Sequence, residues 1–354
     1  MKKYFDICAT TPIDKKVLEF INANNNIFGN PSSIHNFGQK SRTIIEKSRI
    51  KLSKSINSLS SEIVFTCNGS VSNNMALIGI LNRGDHLITS SYEHPAVSKA
   101  CNFLEDKGVD ISYIKPNSSG QILVDNIENA IKDNTRMVSI MMVNNEIGSI
   151  NPIADISKML NNKKIIFHTD AVQAMGKIKV DVRELNIDLL SLSGHKFYGP
   201  KGVGILFVKE NTPLKPMLFG GGQESDLFPG TENIVNIGAI GEAASICNEN
   251  LSLNTAKIKN LETLFLNILL ENDIDFKING SERVPGILNI NFRNINYQSF
   301  IINLDMKGFA ISAGSACSSG SIKSSKTLSE IGLSDSEIKS SCRISFSKNH
   351  SLDD

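Results

Sequence analysis

Short apolar runs alternate with periodic stretches through the middle of the chain. Residues 63–66, 86–90, 111–114, 137–143, 164–168, 188–193 and 203–208 have the length and the β-branched content of buried strands. Between them, 72–81, 97–107, 124–132 and 153–160 place apolar residues at helical spacing. Strands alternating with helices predict an α/β fold, with a mostly parallel seven-stranded sheet covered on both faces. The interval between 188–193 and 203–208 is too short for a crossover helix, so one antiparallel neighbour is expected there. Past Glu249 the pattern changes to one long helical stretch, 251–271, and then to shorter mixed elements. The expected division is a large domain over 16–249 and a smaller α+β domain over 250–354. Residues 1–15, too few to fold alone, are assigned to the smaller one.

Composition narrows the classes of partner. With 354 residues the chain can bury a large core. Lys and Arg total 37 against 36 Asp and Glu, a balance that gives no sign of a nucleic-acid partner. No run reaches the roughly 18 apolar residues of a membrane span, and Asp6 interrupts any signal-like start. A cytoplasmic protein without membrane contacts is expected. The six cysteines include no Cys-x-x-Cys pair, so the expectation is free thiols and no resident metal.

The polar residues gather where the strands should end. Run 63–66 leads into Cys67, Asn68, Gly69 and Ser70; run 86–90 into Tyr92, Glu93 and His94; run 137–143 into Asn144, Asn145 and Glu146. Run 164–168 leads to Asp170 and Gln173, and run 188–193 to Gly194, His195 and Lys196. Parallel sheets bind ligands beyond the carboxyl ends of their strands, so five strand ends point to one large site. Pyridoxal 5'-phosphate (PLP) needs a lysine for its carbonyl and an acid at its ring nitrogen. Lys196 and Asp170 suit those roles. Gly69 and Ser70, opening a helix, suit a phosphate because free N–H groups and the helix dipole meet there.

Longer strings carry a resemblance. They are Phe-Gly-Asn-Pro-Ser-Ser-Ile-His at 28–35, Glu-His-Pro-Ala-Val at 93–97, Val-Asn-Asn-Glu-Ile-Gly at 143–148 and His-Thr-Asp-Ala-Val-Gln at 168–173. Ser-Gly-His-Lys at 193–196, Gly-Gly-Gly-Gln-Glu at 220–224, Gly-Thr-Glu-Asn at 230–233 and Gly-Ser-Ala-Cys-Ser-Ser at 314–319 complete the set. In this order, from about Phe5 to His350, the chain resembles the cysteine desulfurases of the NifS/IscS type. These belong to the class V aminotransferase group of fold-type I PLP enzymes.

The resemblance implies roles position by position. Lys196 is the Schiff-base lysine and α-proton base, Asp170 pairs with the ring nitrogen, and His94 stacks on the ring. Gln173 and Asn145 hold the ring oxygen and orient substrate. Gly69, Ser70, Ser193 and His195 bind the phosphate, together with Thr231 from the neighbouring subunit of a homodimer. Arg343 clamps the carboxylate of the substrate, L-cysteine. Cys317 accepts the sulfur as a persulfide and hands it to acceptor or scaffold proteins for iron–sulfur cluster assembly or tRNA thiolation; it is also a possible transient cluster ligand. The small residues around Cys317 read as a mobile loop.

Several positions depart from the pattern. Val71 stands where an acid is usual, and Ile7 and Cys8 stand where polar residues are common. Ser225-Asp226-Leu227-Phe228-Pro229 replaces a stretch that commonly carries arginines. Ser351–Asp354 reads as the cap and first turn of a further helix. Other readings are a selenocysteine lyase or an aminotransferase of the same fold, or a non-catalytic sulfur-relay subunit. Cys317 separates the aminotransferase from the rest, because that reaction needs no thiol.

Overall fold

The computed structural model describes residues 3–314 and 325–354. Its strands are β1 (Lys3–Tyr4), β2 (Ile63–Thr66), β3 (His86–Ser90), β4 (Asp110–Ile114), β5 (Thr135–Ser139) and β6 (Ile166–Asp170). They continue with β7 (Leu189–Ser193), β8 (Gly204–Val208), β9 (Phe276–Ile278), β10 (Ile287–Phe292), β11 (Phe309–Ala310) and β12 (Ser341–Ser345). The helices are α1 (Lys15–Asn24), α2 (Asn36–Ile56), α3 (Gly69–Ile78), α4 (Pro95–Asp106), α5 (Val124–Asn129) and α6 (Ile153–Leu160). After them come α7 (Ile234–Glu249), α8 (Leu251–Glu271), α9 (Tyr297–Met306), α10 (Lys326–Glu330) and α11 (Asp335–Ile338).

The main sheet has seven strands in the order β2-β8-β7-β6-β5-β3-β4. Strand β8 runs antiparallel to both β2 and β7, while every other pairing is parallel. Two antiparallel steps across β8 leave β2 pointing the same way as β7. The carboxyl ends of β2, β3, β5, β6 and β7 therefore share one rim, as the distribution of polar residues required.

Successive side chains on the strands enter two different cores, as a pleated strand buried on both faces demands. Phe65, Ile88, Val138, Phe167 and Leu190 join one cluster with Leu52 and Ile56 of α2 and Ile237 and Ile240 of α7. Their neighbours Val64, Leu87, Met137, Ile166 and Leu189 join the other, with Met75 and Leu77 of α3 and Val97 and Leu104 of α4. Each fully buried Leu, Ile or Val contributes about 1.5–3 kcal/mol. These faces clamp the strands, and with them the rim.

A smaller antiparallel sheet, β12-β10-β9, packs its Leu288, Ile290, Cys342 and Ile344 against Ile258 and Leu261 of α8. The N-terminal segment joins this region. Strand β1 pairs with β11, and the Ser345 N–H donates to the Phe5 carbonyl at 2.7 Å.

The predicted elements fall within a few residues of the observed ones, with one informative difference. The run 137–143 leaves its pairing with β3 after Ser139 because side chains take the backbone groups of Met141. Its N–H donates to Glu93 Oε1 at 2.9 Å, and its carbonyl accepts from Asn151 Nδ2 at 2.8 Å. On the other side, the Ile140 and Met142 N–H groups still donate to the His168 and Asp170 carbonyls of β6. At the other end of the chain, the Ser351 N–H donates to Asp354 Oδ2 at 2.7 Å, half of a capping box closing a turn. Among the described residues no helix is long and apolar enough to cross a membrane.

Candidate active site

Helix α3 begins on the rim, directly after β2. Asn68 caps it by accepting from the Val71 N–H at 3.0 Å, leaving the preceding N–H groups without intrahelical acceptors. Glycine is required at position 69 by close approach. A Cβ there would lie 2.9 Å from Val172 Cγ2 and 3.1 Å from Ser193 Cβ. The start of α3 thus sits against the ends of β6 and β7.

His94 follows β3 and caps α4, its Nδ1 accepting from the Ala96 N–H at 3.1 Å. That bond places the ring proton of the neutral form on Nε2. Burial pushes the imidazole pKa below its ordinary value; the Asp170 charge opposes this and Lys196 adds to it. The adjoining Tyr92 and Glu93 turn into the core. Tyr92 Oη donates to the Gly120 carbonyl at 2.9 Å, and Glu93 Oε1 accepts from Ser90 Oγ at 2.6 Å. Asn144 shapes the next turn by accepting from the Glu146 N–H at 2.8 Å, and Asn145 is left at the pocket.

Asp170 ends β6. Its Oδ1 accepts from the Val172 N–H at 2.9 Å and its Oδ2 from Asn73 Nδ2 at 2.6 Å. Gln173 Nε2 donates to the Cys8 carbonyl at 2.9 Å, and Gln173 Oε1 accepts from Lys177 Nζ at 3.2 Å. After β7 a tight turn, Gly194–Lys196, presents His195 and Lys196. Lys196 Nζ donates to the Ala9 carbonyl at 2.9 Å and also to that of Cys8. His195 lies 3.1 Å from Thr10 Oγ1, and burial, with the charges of Lys196 and Lys201, lowers its pKa to about 4.

From the smaller sheet comes Arg343, 1% exposed. Its guanidinium donates to Asp6 Oδ1 at 2.6 Å and to the Asn145 carbonyl at 2.8 Å. One cavity is lined by Gly69, Ser70, His94, Asn145, Asp170 and Gln173, and also by Ser193, His195, Lys196 and Arg343. Of the expected residues, Thr231 is exposed and outside this cavity, and Cys317 lies outside the described residues.

Asn73, Asp6 and the carbonyls of Cys8 and Ala9 also build the site, and sequence reasoning gave them no part in it. An Asn pair one turn into a helix that starts on the rim is a usable signal for Asn73. Backbone carbonyls leave no signal in a sequence.

The cavity suits an anionic, ring-bearing group. Ser193 Oγ and Arg343 Nε are buried there without hydrogen-bond partners, and buried polar atoms left unpaired are rare unless something pairs with them. The start of α3 supplies anion-binding N–H groups, Lys196 an amine and Asp170 a carboxylate. The residues fit PLP.

Known proteins agree over nearly the whole length. A cysteine desulfurase IscS of Dictyoglomus turgidum is 42% identical over 340 residues, covering 93% of this chain and 86% of the relative. A putative cysteine desulfurase IscS 1 of Bacillus subtilis is 39% identical over 351 residues, covering 97% and 93%. A solved NifS-like protein superposes with a TM-score of 0.93 at 31% identity, covering 100% of this chain and 96% of the other. A structure of SspA in complex with cysteine gives 0.87 at 38% identity, covering 98% and 99%. The family model of aminotransferase class-V matches residues 3–354, and the chain belongs to that family.

Proposed function

We propose that this protein is a PLP-dependent cysteine desulfurase, taking sulfur from L-cysteine to leave L-alanine and a persulfide on Cys317. The convergence of Lys196, Asp170, Ser193 and Arg343 on one cavity carries the reading. Bound there, PLP supplies an electrophilic carbonyl for primary amines and a ring that draws electrons from the substrate α-carbon.

The residues of the chain do the rest. Lys196 provides the amine that holds the cofactor, and the carbonyls of Cys8 and Ala9 fix where its Nζ sits. The same Nζ would be placed to take the α-proton of the substrate. Asp170 keeps the ring nitrogen charged, while Gln173 and Asn145 orient ring and substrate. Gly69, Ser70, Ser193 and His195 hold the phosphate. Arg343, steadied by Asp6 and Asn145, binds the substrate carboxylate. His94, with its proton on Nε2, would stack on the cofactor ring and pass protons. The Cys317 thiolate attacks the substrate sulfur, and the Cβ–S bond breaks as the S–S bond forms. The electron pair of the broken bond stays with the carbon, which takes up a proton to become the methyl of alanine.

We read residues 16–249 as the cofactor-holding domain, with 1–15 and 250–354 as the second, in a cytoplasmic homodimer that passes sulfur to acceptor proteins. Thr231 then serves the partner's phosphate site.

The test is direct. Wild type reconstituted with PLP should be yellow and release sulfide from cysteine with a reductant. Lys196→Ala should be colourless. Cys317→Ser should stay yellow and release no sulfide. A colourless wild type sinks the cofactor reading, and full activity in Cys317→Ser sinks the persulfide step.

A further inference from the structure

Helix α3 carries two consecutive asparagines that point in different directions. Asn74 Nδ2 donates to the carbonyls of Ser70 at 2.8 Å and Ala96 at 3.0 Å, tying α3 to α4. Asn73 lies four residues after Gly69, so the two share a helix face. That face meets the ends of β6 and β7. Asn73 is 1% exposed, and its Nδ2 donates to Asp170 Oδ2 at 2.6 Å.

The other atom of the amide shows why an asparagine stands there. Asn73 Oδ1 is buried with no hydrogen-bond partner. Turning the amide over would satisfy nothing and would set two oxygens against each other. A leucine of similar shape would bury no unpaired oxygen at all. What asparagine contributes here, and leucine does not, is the N–H directed at Asp170.

We propose that Asn73 is a positioning residue that fixes the Asp170 carboxylate for the ring nitrogen of the cofactor. The inference rests on the PLP reading above and goes beyond it. A carboxylate offers about four acceptor directions. The Val172 N–H holds one on Oδ1 and Asn73 holds one on Oδ2, so the plane of the group is set from both sides. The remaining lone pairs are those available on the cavity side. Without Asn73 the carboxylate keeps only the Val172 anchor and can rotate about its Cβ–Cγ bond. Its contact with a charged ring nitrogen then weakens, and the ring loses its proton more easily.

The test uses the full-length holoenzyme reconstituted with PLP labelled with nitrogen-15 in the ring. Two variants are compared with wild type. Asn73→Leu keeps the shape and removes the donor, and Asn73→Asp puts an acid against Asp170. The expected wild-type signal is that of a protonated ring nitrogen. In Asn73→Leu it should move toward the neutral position, and the pH midpoint of the cofactor absorbance should shift by about one unit or more. Asn73→Asp should stay closer to wild type than Asn73→Leu, because the new acid and Asp170 share one proton and its O–H can donate in place of the amide. Both variants should still hold the cofactor on Lys196, seen as colour that borohydride fixes to the protein. An Asn73→Leu variant that is yellow and folded, with the nitrogen signal and the pH midpoint of wild type, overturns the assignment. So does failure of both to retain cofactor or to fold, since Asn73 would then be a structural requirement. A wild type that is colourless with PLP overturns the cofactor reading and this inference together.

Discussion

Glu93 is a carboxylic acid sealed inside the fold next to the site. Burial pushes its pKa up to about 8, against hydrogen bonds from Ser90 and the Met141 N–H that favour the anion; the Asp170 charge adds to the rise. At neutral pH the folded protein holds this proton and the unfolded chain, near the ordinary value of 4.5, does not. The folded state binds more protons between those values, so stability falls as pH rises from 4.5 to about 8 and is level above. Glu93→Gln, neutral at every pH, should gain in melting temperature over wild type across that window, from almost nothing at the acid end to a plateau above it. Melting curves at four or five pH values check this, and a difference that does not vary with pH refutes it. At this scale the sequence was legible where a side chain does chemistry at a strand end. Lys196, Asp170 and His94 announce themselves by placement. The charge state of Glu93 and the donor role of Asn73 depend on what surrounds them in three dimensions, and the sequence records that only across distant segments.

Elements were easier to read than their ends. A strand buried on both faces shows as a short apolar run, and β2 (Ile-Val-Phe-Thr) stands out as such. On its β3 side, strand β5 ends early because Glu93 and Asn151, remote in sequence, claim the backbone of Met141. The same dependence on neighbours makes Gly69 a tight joint between elements at the site. A valine there would meet Val172 and Ser193 and push the start of α3 away from the ends of β6 and β7. Overpacking of this kind costs about 1–3 kcal/mol, but the larger effect should fall on the cofactor, whose phosphate uses the helix start. Gly69→Val should therefore melt a few degrees below wild type and lose at least tenfold in PLP affinity, as judged by absorbance titration, an order-of-magnitude expectation for displaced charge-assisted bonds. Unchanged affinity in a destabilised variant would show that the phosphate does not rely on this joint.

The whole molecule joins segments far apart in the chain. Asp6 reaches Arg343, Phe5 pairs with Ser345, and the carbonyls of Cys8 and Ala9 receive Lys196. Nothing local in the first ten residues predicts this, because the site residues they meet, from Gln173 to Arg343, lie 165 or more positions away. Thr231 poses the same question across subunits. It is exposed and outside the cavity of its own chain. It follows a segment held by the Glu224 carboxylate on Arg49 and by left-handed backbone at Glu224, Ser225 and Asp226. If Thr231 completes the partner's phosphate site, symmetry separates its defects from those of Lys196. In a mixed dimer of Lys196→Ala and Thr231→Ala chains, one site carries both changes and the other carries neither. Such dimers, isolated through two different affinity tags, should recover about half the wild-type sulfide release per dimer. A residue acting within its own chain would leave one defect in each site, and the mixture would then show no gain over Thr231→Ala alone.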